Sequence, residues 1–315
     1  MKWLAHAPAN IALIKYMGKH DASQNVPINS SLSYTLANLL TYVELETTST
    51  PHDVWEPLDI PGTTEFHLSA AGQQRFLRHL TYLKQQFGYT GHFIVRSCNN
   101  FPAQTGLASS ASSFAALTQC TMIACNELLH SQPLSATQLA TLSQVGSGSS
   151  CRSFFTPWAL WTPTSVSTIA LPYANLIHQV VIISHQPKTV SSSQAHQQVT
   201  TSPLFAERAQ RAEQRLQQLL TALHQQHWPD AYRICWDEFH DMHQLFATSE
   251  QPFHYLTDAS RTVLNRLDHV WQQTGDGPLV TMDAGPNIHL LYRPDQQALA
   301  HQLHQQLFLG NFDVL

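Results

Sequence analysis

The sequence predicts an α+β protein built as two lobes. In the first half of the chain, runs with the alternating pattern of strands are mixed with runs of helical periodicity. The second half opens with strand-like runs, is mostly helical in its middle, and returns to a pair of strands and a helix. Because strands and helices do not alternate one for one, a sheet of βαβ units is not favoured. The boundary falls between residues 165 and 190, and we assign the lobes to 1–180 and 181–315.

The elements of the first half are predicted from their apolar periodicity. Residues 42–47 alternate polar and apolar side chains, which is typical of a strand with one buried face. Phe76, Leu80 and Leu83 recur at helical spacing, and Ser135 with Gln138 forms a capping-box start for another helix. Strands are predicted within 2–16, 26–48, 92–98 and 158–170, with a proline-containing connection over 50–64. Helices are predicted over 72–87 and 135–144, and another helix begins after the loop that follows strand 92–98 and ends at residue 129.

The second half is predicted to be dominated by helices. One long helical stretch is broken near Trp228 and Pro229, because proline cannot continue a helix from within. The predicted segments are strands over 178–184, 279–282 and 288–292 and helices over 203–246, 256–273 and 294–307.

Composition limits the classes of function. The 315 residues carry a formal net charge of −5, so the basic face of a general nucleic-acid binder is not expected. An anionic substrate must instead be held by a few local Lys, Arg and backbone N–H groups. The five cysteines match neither a disulfide framework nor a metal pair. The N-terminal run is interrupted by Asn10, Lys15 and Lys19, and no apolar run approaches the roughly 18 residues that span a bilayer. We therefore expect a reduced, soluble, cytoplasmic protein with neither a nucleic-acid nor a membrane partner.

The 19 histidines suggest no metal site. They form no zinc-like cluster with nearby cysteines. His240 and His243 are three residues apart on a predicted helix, and solvent-facing side chains are the simpler interpretation.

The most informative segment covers residues 100–116. An alternating strand ends before it, a loop containing Gly106 follows, and a run of small residues then begins a helix. The first N–H groups of a helix lack internal partners and the helix dipole adds positive potential there, so this arrangement favours a bound anion. Ser109 and Ser110 add hydroxyls, and the small side chains let a polyphosphate approach the backbone.

Three further segments hold reactive side chains outside any core pattern. Lys15 and Lys19 stand at the end of an apolar strand, where two solvated lysines are the simpler interpretation. Arg152 follows a run of Gly and Ser, either as a surface residue of a turn or as a bidentate ligand for a carboxylate or phosphate. Asp283 lies between two strand-like runs and precedes Gly-Pro, a sequence that often only forms a turn.

Taken together, the four segments resemble the GHMP kinase superfamily and, within it, the diphosphomevalonate decarboxylases. The motifs are PANIALIKYxGK over 8–19, PINSSLS over 27–33, NNFP to SAS over 99–112, GSGSxxRS over 146–153 and DAGPN over 283–287. Two shorter ones are VSS over 190–192 and VTTS over 199–202. The likeness therefore runs from residue 7 to about residue 290.

The resemblance implies a GHMP-kinase-like fold with an ATP-binding N-terminal lobe, a C-terminal lobe and a cleft between them. It also implies a carboxy-lyase of isoprenoid biosynthesis that uses ATP and Mg²⁺ to phosphorylate the tertiary 3-hydroxyl of mevalonate 5-diphosphate. The 3-phosphate and CO₂ then leave, and isopentenyl diphosphate forms. The chemistry is consistent, because phosphorylation makes a poor leaving group a good one and a carboxylate stabilises the positive charge that develops at C3.

The same resemblance implies roles for individual residues. Asp283 contacts the 3-hydroxyl, either as a base or as an orienting and charge-stabilising group. Lys15 pairs with Asp283 and keeps it ionised, and Arg152 clamps the substrate carboxylate. The substrate is held, mostly by its diphosphate, by Tyr16, Lys19, Ser147, Gly148 and Ser149. ATP is held by Gly106, Leu107, Ala108, Ser109, Ser110 and Ser192. No direct protein ligand for a metal is implied.

The chain departs from the family pattern at several positions. Met17 stands where Trp is usual, and Gln144 where Arg is common. Thr156-Pro157 replaces a usual Gly-Gly, so the chain turns differently there. Ser193 and His196 replace an Arg and a Met that some bacterial members use near the substrate, which bears on affinity for the diphosphate.

Three alternatives share these motifs: a decarboxylase of mevalonate 5-phosphate, a mevalonate-type 3-kinase, and a non-catalytic binding module of the same fold. Kinase-only relatives tend to lose the Asp and Lys constellation, whereas Asp283, Lys15 and Arg152 are all present here. A non-catalytic module need not keep these charges together with two Gly/Ser loops. A homodimer is compatible with the resemblance.

Overall fold

Strands and helices are mixed along the chain, which confirms the predicted α+β class. The computed structural model describes residues 1–61, 63, 68–101, 109–186 and 188–315. The strands are β1 (Lys2–Ala12), β2 (Lys19–Asp21), β3 (Val26–Pro27), β4 (Ser31–Thr48), β5 (Val54–Pro57), β6 (His92–Asn99), β7 (Trp158–Trp161), β8 (Val166–Thr168), β9 (Ile177–Ile182), β10 (Leu279–Thr281), β11 (Ile288–Tyr292) and β12 (Asp313–Val314). The α-helices are α1 (Ala70–Phe87), α2 (Ser109–Leu129), α3 (Ala136–Gly146), α4 (Ser192–Gln198), α5 (Arg208–His224), α6 (Trp228–Thr248), α7 (Asp258–Thr274) and α8 (Gln297–Leu303). The 3₁₀ helices are Gly148–Phe154, Val199–Thr201 and Pro294–Gln296, and a π-helical turn covers His304–Phe308.

The first sheet is organised around the long strand β4. β1 runs antiparallel along one edge of β4, and its register shifts between Pro8 and Ala9. The other edge of β4 pairs with β7 near its start and with β6 near its end. β5 lies parallel to β6 on the outside, and β8 lies antiparallel to β7. This arrangement brings the end of β1 beside the start of β4, where Lys15 follows.

The second sheet has the strand order β10-β11-β9-β12, and its neighbouring strands are antiparallel. The β10–β11 connection carries Asp283. One hydrophobic cluster joins this sheet to α5, α6 and α7 through residues such as Val180, Leu219, Phe239 and Leu290. The second sheet and its helices therefore form a layered unit around this cluster.

β1 contributes to two hydrophobic clusters. Its first half places Trp3, Ala5 and Ala7 in the cluster formed with α1, α2 and β6. After the register shift, Ala9 and Ile11 join the cluster of the second sheet. One strand thus ties both parts of the molecule together. The hydrophobic cluster of the second sheet contains residues from both sides of residue 180. The division into lobes 1–180 and 181–315 stays a prediction.

Capping residues determine where several helices begin or end. Ser135 and Gln138 form the predicted capping box at the start of α3. Pro229 lies in the first turn of α6, where its missing N–H has no helical partner to lose. Gly275, with φ +67°, ends α7 in the left-handed conformation that glycine adopts without strain.

The structure differs from the predicted elements in a few places. The predicted connection over 50–64 contains the strand β5, which pairs with β6 some 40 residues later and is further held by a hydrogen bond from Trp55 Nε1 to Ser97 Oγ. The predicted strand over 158–170 is two short strands. The helix predicted to begin at 203 begins at Arg208, and α4 was not predicted. Short elements of this kind depend on distant pairing, which local periodicity does not report.

Among the helices that the structure describes, none combines the length and the apolar character needed to cross a membrane.

Candidate active site

Predicted site residues from distant parts of the chain line a cleft of about 470 Å³. Those that lie within the described residues all line it: Lys15, Tyr16, Lys19, Ser109, Ser110, Ser147, Gly148, Ser149, Arg152, Ser192 and Asp283. The predicted ATP contacts Gly106, Leu107 and Ala108 lie outside the described residues. The cleft therefore brings together segments that are far apart in sequence.

Lys15 and Asp283 form an ion pair on the wall of the cleft. The distance from Lys15 Nζ to Asp283 Oδ1 is 2.8 Å, with the Lys15 side chain buried and that of Asp283 29% exposed. Burial lowers the pKa of Lys15, and the Asp283 carboxylate opposes that shift. Burial by itself raises the pKa of Asp283, but the Lys15 ammonium, with further contributions from His289 and Arg152, outweighs it and holds that pKa below the ordinary value. The pair thus presents an ionised carboxylate to the cleft.

Arg152 enters the cleft from the 3₁₀ helix Gly148–Phe154. Its Nε donates to Asn10 Oδ1 at 3.0 Å, and its guanidinium carbon lies 5.4 Å from the ring centre of Trp161. Asn10 is itself fixed by donating to Ser153 Oγ at 2.9 Å. Arg152 Nη1 is buried and makes no hydrogen bond with the described part of the chain. Asn10 and Trp161 therefore orient the guanidinium at the wall of the cleft, and Nη1 is left without a partner among the described residues.

Tyr16 packs closely against the Gly148 segment. Its ring centre lies 4.7 Å from that of Trp161 and 4.3 Å from that of His196. A Cβ at Gly148 would come within 2.8 Å of the Tyr16 ring, so glycine is required there by space. Lys19 Nζ donates to Asn25 Oδ1 at 2.6 Å, which holds the ammonium at the rim of the same wall.

The two Gly/Ser segments meet at the base of the cleft. Ser147 Oγ donates to Ser110 Oγ at 3.3 Å, which joins the start of α2 to the 3₁₀ helix. Both hydroxyls line the cleft, where they could donate to a polyphosphate.

Two cations of the cleft were missed by the sequence analysis. Lys188 Nζ donates to Ser192 Oγ at 2.7 Å and to the Ala284 carbonyl at 2.9 Å, which ties the segment before α4 to the residue after Asp283. Arg75 on α1 donates through Nη2 to the Gly146 carbonyl at 2.8 Å. Neither residue belongs to a motif that distinguishes it from a surface cation, so no sequence signal identified them.

His196, named above as a departure from the family, also lines the cleft. Its Nδ1 accepts a hydrogen bond from the Gly18 N–H at 3.0 Å. Burial, and then the nearby Lys19 and Lys188, lower its pKa to about 3, so the ring is neutral with its proton on Nε2.

His243 corrects the expectation of a solvent-facing histidine. It is buried on α6, and its Nε2 donates to the Asp283 carbonyl at 3.2 Å. Burial lowers its pKa to about 3, which makes it a neutral donor that orients the Asp283 backbone.

Charge makes the cleft selective for anions. Lys15, Lys19, Arg75, Arg152 and Lys188 line it, whereas Asp283 supplies the one carboxylate among the lining residues that the structure describes. The described residues contain no group of three or more His, Cys, Asp and Glu side chains that could hold a metal ion. The arrangement fits a polyanionic ligand whose reacting group meets Asp283.

Known proteins are similar to this chain in both sequence and fold. Residues 7–171 match the family model of the diphosphomevalonate decarboxylase-like N-terminal domain, and residues 178–313 match that of the mevalonate 5-diphosphate decarboxylase C-terminal domain. A diphosphomevalonate decarboxylase of Candida albicans is 30% identical over 307 residues, which cover 91% of this chain and 83% of that protein.

Solved structures agree with these matches. The crystal structure of a mevalonate diphosphate decarboxylase from Legionella pneumophila has a TM-score of 0.95 and 56% identity, and the match covers 100% of both chains. A structure of MDDEF in complex with MVAPP, AMPPCP and magnesium has a TM-score of 0.85 and 28% identity, covering 100% of this chain and 96% of that one. With both family models matched in order along the described fold, the chain belongs to the diphosphomevalonate decarboxylase family.

Proposed function

We propose that this protein catalyses the ATP-dependent decarboxylation of mevalonate 5-diphosphate to isopentenyl diphosphate in the mevalonate pathway. The observation that carries the proposal is the Lys15–Asp283 ion pair at the wall of a cleft that is otherwise lined by cations. The chain also spans most of its curated relatives, so the match is to the whole enzyme and not to one module of it.

The reaction proceeds in two stages. The γ-phosphoryl group of ATP moves to the 3-hydroxyl oxygen, with the hydroxyl proton passing to a base or to solvent and ADP leaving. The C3–O bond then breaks with its electron pair going to phosphate, while the C1–C2 electron pair forms the C2–C3 double bond and CO₂ leaves. Charge develops in each stage, and fixed charges of the protein can stabilise it.

Asp283 would act on the reacting carbon. Its carboxylate is ionised by its pairing with Lys15, so it could accept the 3-hydroxyl proton or orient that hydroxyl. In the second stage, the same negative charge would stabilise the positive charge developing at C3. Lys15 keeps the carboxylate charged and at a fixed place.

Arg152 would hold the carboxylate of the substrate. Its Nε donates to Asn10, and its Nη1 makes no hydrogen bond with the described part of the chain. A carboxylate that accepted from the two Nη groups would have a fixed orientation, which would align the C1–C2 bond for fragmentation.

The diphosphate would lie along Tyr16, Lys19, Ser147, Gly148 and Ser149. The structure adds the neutral ring of His196 to this wall, whose Nε2–H is a donor for phosphate oxygen. Arg75 provides a further cation at the same end of the cleft. We propose that these two residues serve in place of the Arg that Ser193 replaces.

ATP would be held by Gly106, Leu107, Ala108, Ser109, Ser110 and Ser192, with Lys188 as an additional phosphate contact. Lys188 is fixed by Ser192 and by the carbonyl of Ala284, so its ammonium lies between the predicted ATP segment and Asp283. A cation at this place would neutralise charge on the transferred phosphoryl group.

Magnesium fits the cleft as a companion of ATP. Hydroxyl and carboxylate oxygens, which suit this ion, line the cleft at Ser109, Ser110 and Asp283. Since the described residues form no cluster of metal ligands, phosphate oxygens and waters would supply most of its contacts. When bound, the ion neutralises phosphate charge.

The enzyme is proposed to work in the cytoplasm. Its five cysteines are all unpaired and buried, as is usual for proteins of a reducing compartment. Homodimer formation stays a prediction.

An assay with purified protein tests the proposed reaction. With ATP, Mg²⁺ and mevalonate 5-diphosphate labelled at its carboxylate carbon, we expect ADP, phosphate and labelled CO₂ in equal amounts. Mevalonate 5-phosphate should turn over far more slowly, and EDTA should stop the reaction. ADP without CO₂ would identify a 3-kinase instead, and faster turnover of the monophosphate would identify the sister decarboxylase.

A further inference from the structure

A network of buried charges lies directly behind Lys15. Arg208 on α5 and Glu238 on α6 are both fully buried, and Arg208 donates to Glu238 through both Nη1 and Nη2. Arg208 Nη1 also donates to Asp241 Oδ2 at 2.8 Å. Arg215, at the outer edge, donates to Glu238 Oε2 at 3.0 Å. The network therefore balances two carboxylates with guanidinium groups inside the helical layer.

The network holds the backbone of Lys15 from both sides. Glu238 Oε1 accepts the Lys15 N–H at 2.9 Å, and Arg208 Nη2 donates to the Lys15 carbonyl at 3.2 Å. These contacts cross from the helices of the second half of the chain to the end of β1. The position of the Lys15 side chain relative to Asp283 thus depends on two residues that do not touch the cleft.

Stability alone is a weak reason for such an arrangement. Taking paired charges out of water is unfavourable, and apolar side chains of similar size often give an equally stable interior. An alternative reason is the electrostatic potential at Lys15, whose ammonium is buried and needs nearby negative charge to stay protonated.

Resting on the proposed function, we propose that Glu238 is a positioning residue for the reaction: together with Arg208 it fixes the Lys15 backbone through its N–H and carbonyl, and it places a negative charge beside Lys15. Glu238 reaches no reacting atom and acts through Lys15.

The charged groups around Lys15 determine in which direction its pKa should change when Glu238 is replaced. Asp283 and Glu238 favour its charged form, whereas Arg152 disfavours it. Arg208 reaches its backbone carbonyl, and His243 and Cys235 on α6 are electrostatically coupled to it. Removing the charge of Glu238 leaves the guanidinium groups of Arg208 and Arg215 less compensated. The pKa of Lys15 should then fall, and the alkaline limb of the pH–rate profile should move to lower pH.

The test is the variant Glu238→Gln, which keeps an oxygen acceptor for the Lys15 N–H but removes the charge. We expect kcat to fall with little change in KM, and the alkaline limb to move to lower pH because one of the two carboxylates that favour the charged form of Lys15 is lost. Because the chain has five lysines, ¹³C NMR of lysine-labelled protein can follow Lys15 directly. Its titration should shift in the same direction.

Asp53→Asn is the matched control. Asp53 is a partly buried carboxylate that accepts a backbone N–H, that of Phe93 at 2.8 Å, and pairs with a lysine, Lys84, away from the cleft. This variant should lose comparable stability without moving the pH limb. If it moves the limb as far as Glu238→Gln does, the shift reports general destabilisation and the proposal is overturned.

The variant Arg215→Gln should shift the pKa of Lys15 in the opposite direction. It keeps the proposal testable if Glu238→Gln does not fold. Arg215 is partly exposed at the edge of the network, and its removal should raise the pKa of Lys15 and move the limb to higher pH. An unchanged Lys15 titration in both variants overturns the role of Glu238. An inactive wild-type protein instead refutes the proposed function, while the NMR titration still decides whether Glu238 sets the charge of Lys15.

Discussion

At the residue scale, Asp283 shows how neighbours decide the charge of one side chain. Burial alone would favour its neutral form, and the buried ammonium of Lys15 at 2.8 Å, together with His289 and Arg152, reverses that preference. The neutral donor His243 fixes the Asp283 carbonyl from α6. The carboxylate is therefore both ionised and fixed in place, which suits a group that must meet a developing positive charge.

Replacing Asp283 tests this role. We expect Asp283→Ala to lower kcat by about 10³-fold, the order seen when one preorganised electrostatic contact is removed, while ADP binding changes little. Steady-state kinetics and calorimetric titration with ADP measure the two quantities. Asp276→Ala, which removes an aspartate paired with Arg293 before β10, should leave kcat unchanged. Near wild-type decarboxylation by the Asp283 variant would show that the assigned role is wrong.

Replacing Lys15 should destabilise the fold in a pH-dependent way. Lys15→Met leaves the partly exposed Asp283 carboxylate without its cation, so we expect a loss of about 2 kcal/mol in the free energy of unfolding near pH 7, less than for a fully buried pair. In the wild type, the depressed pKa of Asp283 contributes stability that is lost only as the pH falls below its unfolded value. In the variant, that pKa is raised, and protonation relieves the unpaired charge.

Thermal unfolding of the two proteins from about pH 7 to about pH 5 measures this effect. The difference in Tm should narrow as the pH falls. The double variant Lys15→Met/Asp283→Asn should recover part of the loss at neutral pH. A difference in Tm that does not depend on pH would argue against an ionised Asp283.

At the element scale, the 3₁₀ helix Gly148–Phe154 is the element that shapes the substrate wall. Its small residues let it lie directly against the Tyr16 ring, while Arg152 points from the same short helix into the cleft. Ser143 and Ser150 fix it to α3 through a hydrogen bond of 2.6 Å between their hydroxyls. A regular helix of larger side chains could not bring its backbone this close to a ligand.

The variant Gly148→Ala tests that packing. The added Cβ would lie 2.8 Å from atoms of the Tyr16 ring, which cannot move freely because Trp161 and His196 hold it. We expect KM for the diphosphate substrate to rise by about tenfold, equivalent to roughly 1.4 kcal/mol, with a smaller change in kcat. Gly88→Ala, where the added Cβ meets no atom within 4 Å but φ is +75°, is a control for strain alone and should leave KM unchanged. An unchanged KM in Gly148→Ala would place the diphosphate elsewhere.

At the scale of the whole molecule, the two sheets are joined by shared packing as well as by the cleft. β1 contributes to the cluster of α1 and α2 before its register shift and to the cluster of the second sheet after it. The Lys15–Asp283 pair and the contacts of Arg208 and Glu238 to Lys15 cross the same boundary. A net charge of −5 coexists with a cationic cleft because the cations are local.

This shared packing predicts cooperative unfolding. We expect one calorimetric transition, with the calorimetric enthalpy close to the van't Hoff enthalpy, because unfolding of either lobe exposes the cluster that β1 shares. Differential scanning calorimetry measures both enthalpies. A saturating ADP concentration should raise Tm without splitting the transition. Two separate transitions would show that the lobes unfold independently.

The amino-acid sequence by itself determined the class of the fold, most helices and strands, and the motifs around Lys15, Arg152 and Asp283. These features are local, because apolar periodicity and capping residues act within a few turns of chain. The roles of the motif residues followed from the resemblance to the family, and they stay predictions.

Only the tertiary structure decided which side chains meet. Lys15 and Asp283 are 268 residues apart, and their contact depends on how β1 packs against the second sheet. The same long-range packing buries His243, brings Lys188 and Arg75 to the cleft, and sets Glu238 behind Lys15. No local pattern reports such encounters, since the free energy that fixes them comes from burial and pairing between distant segments.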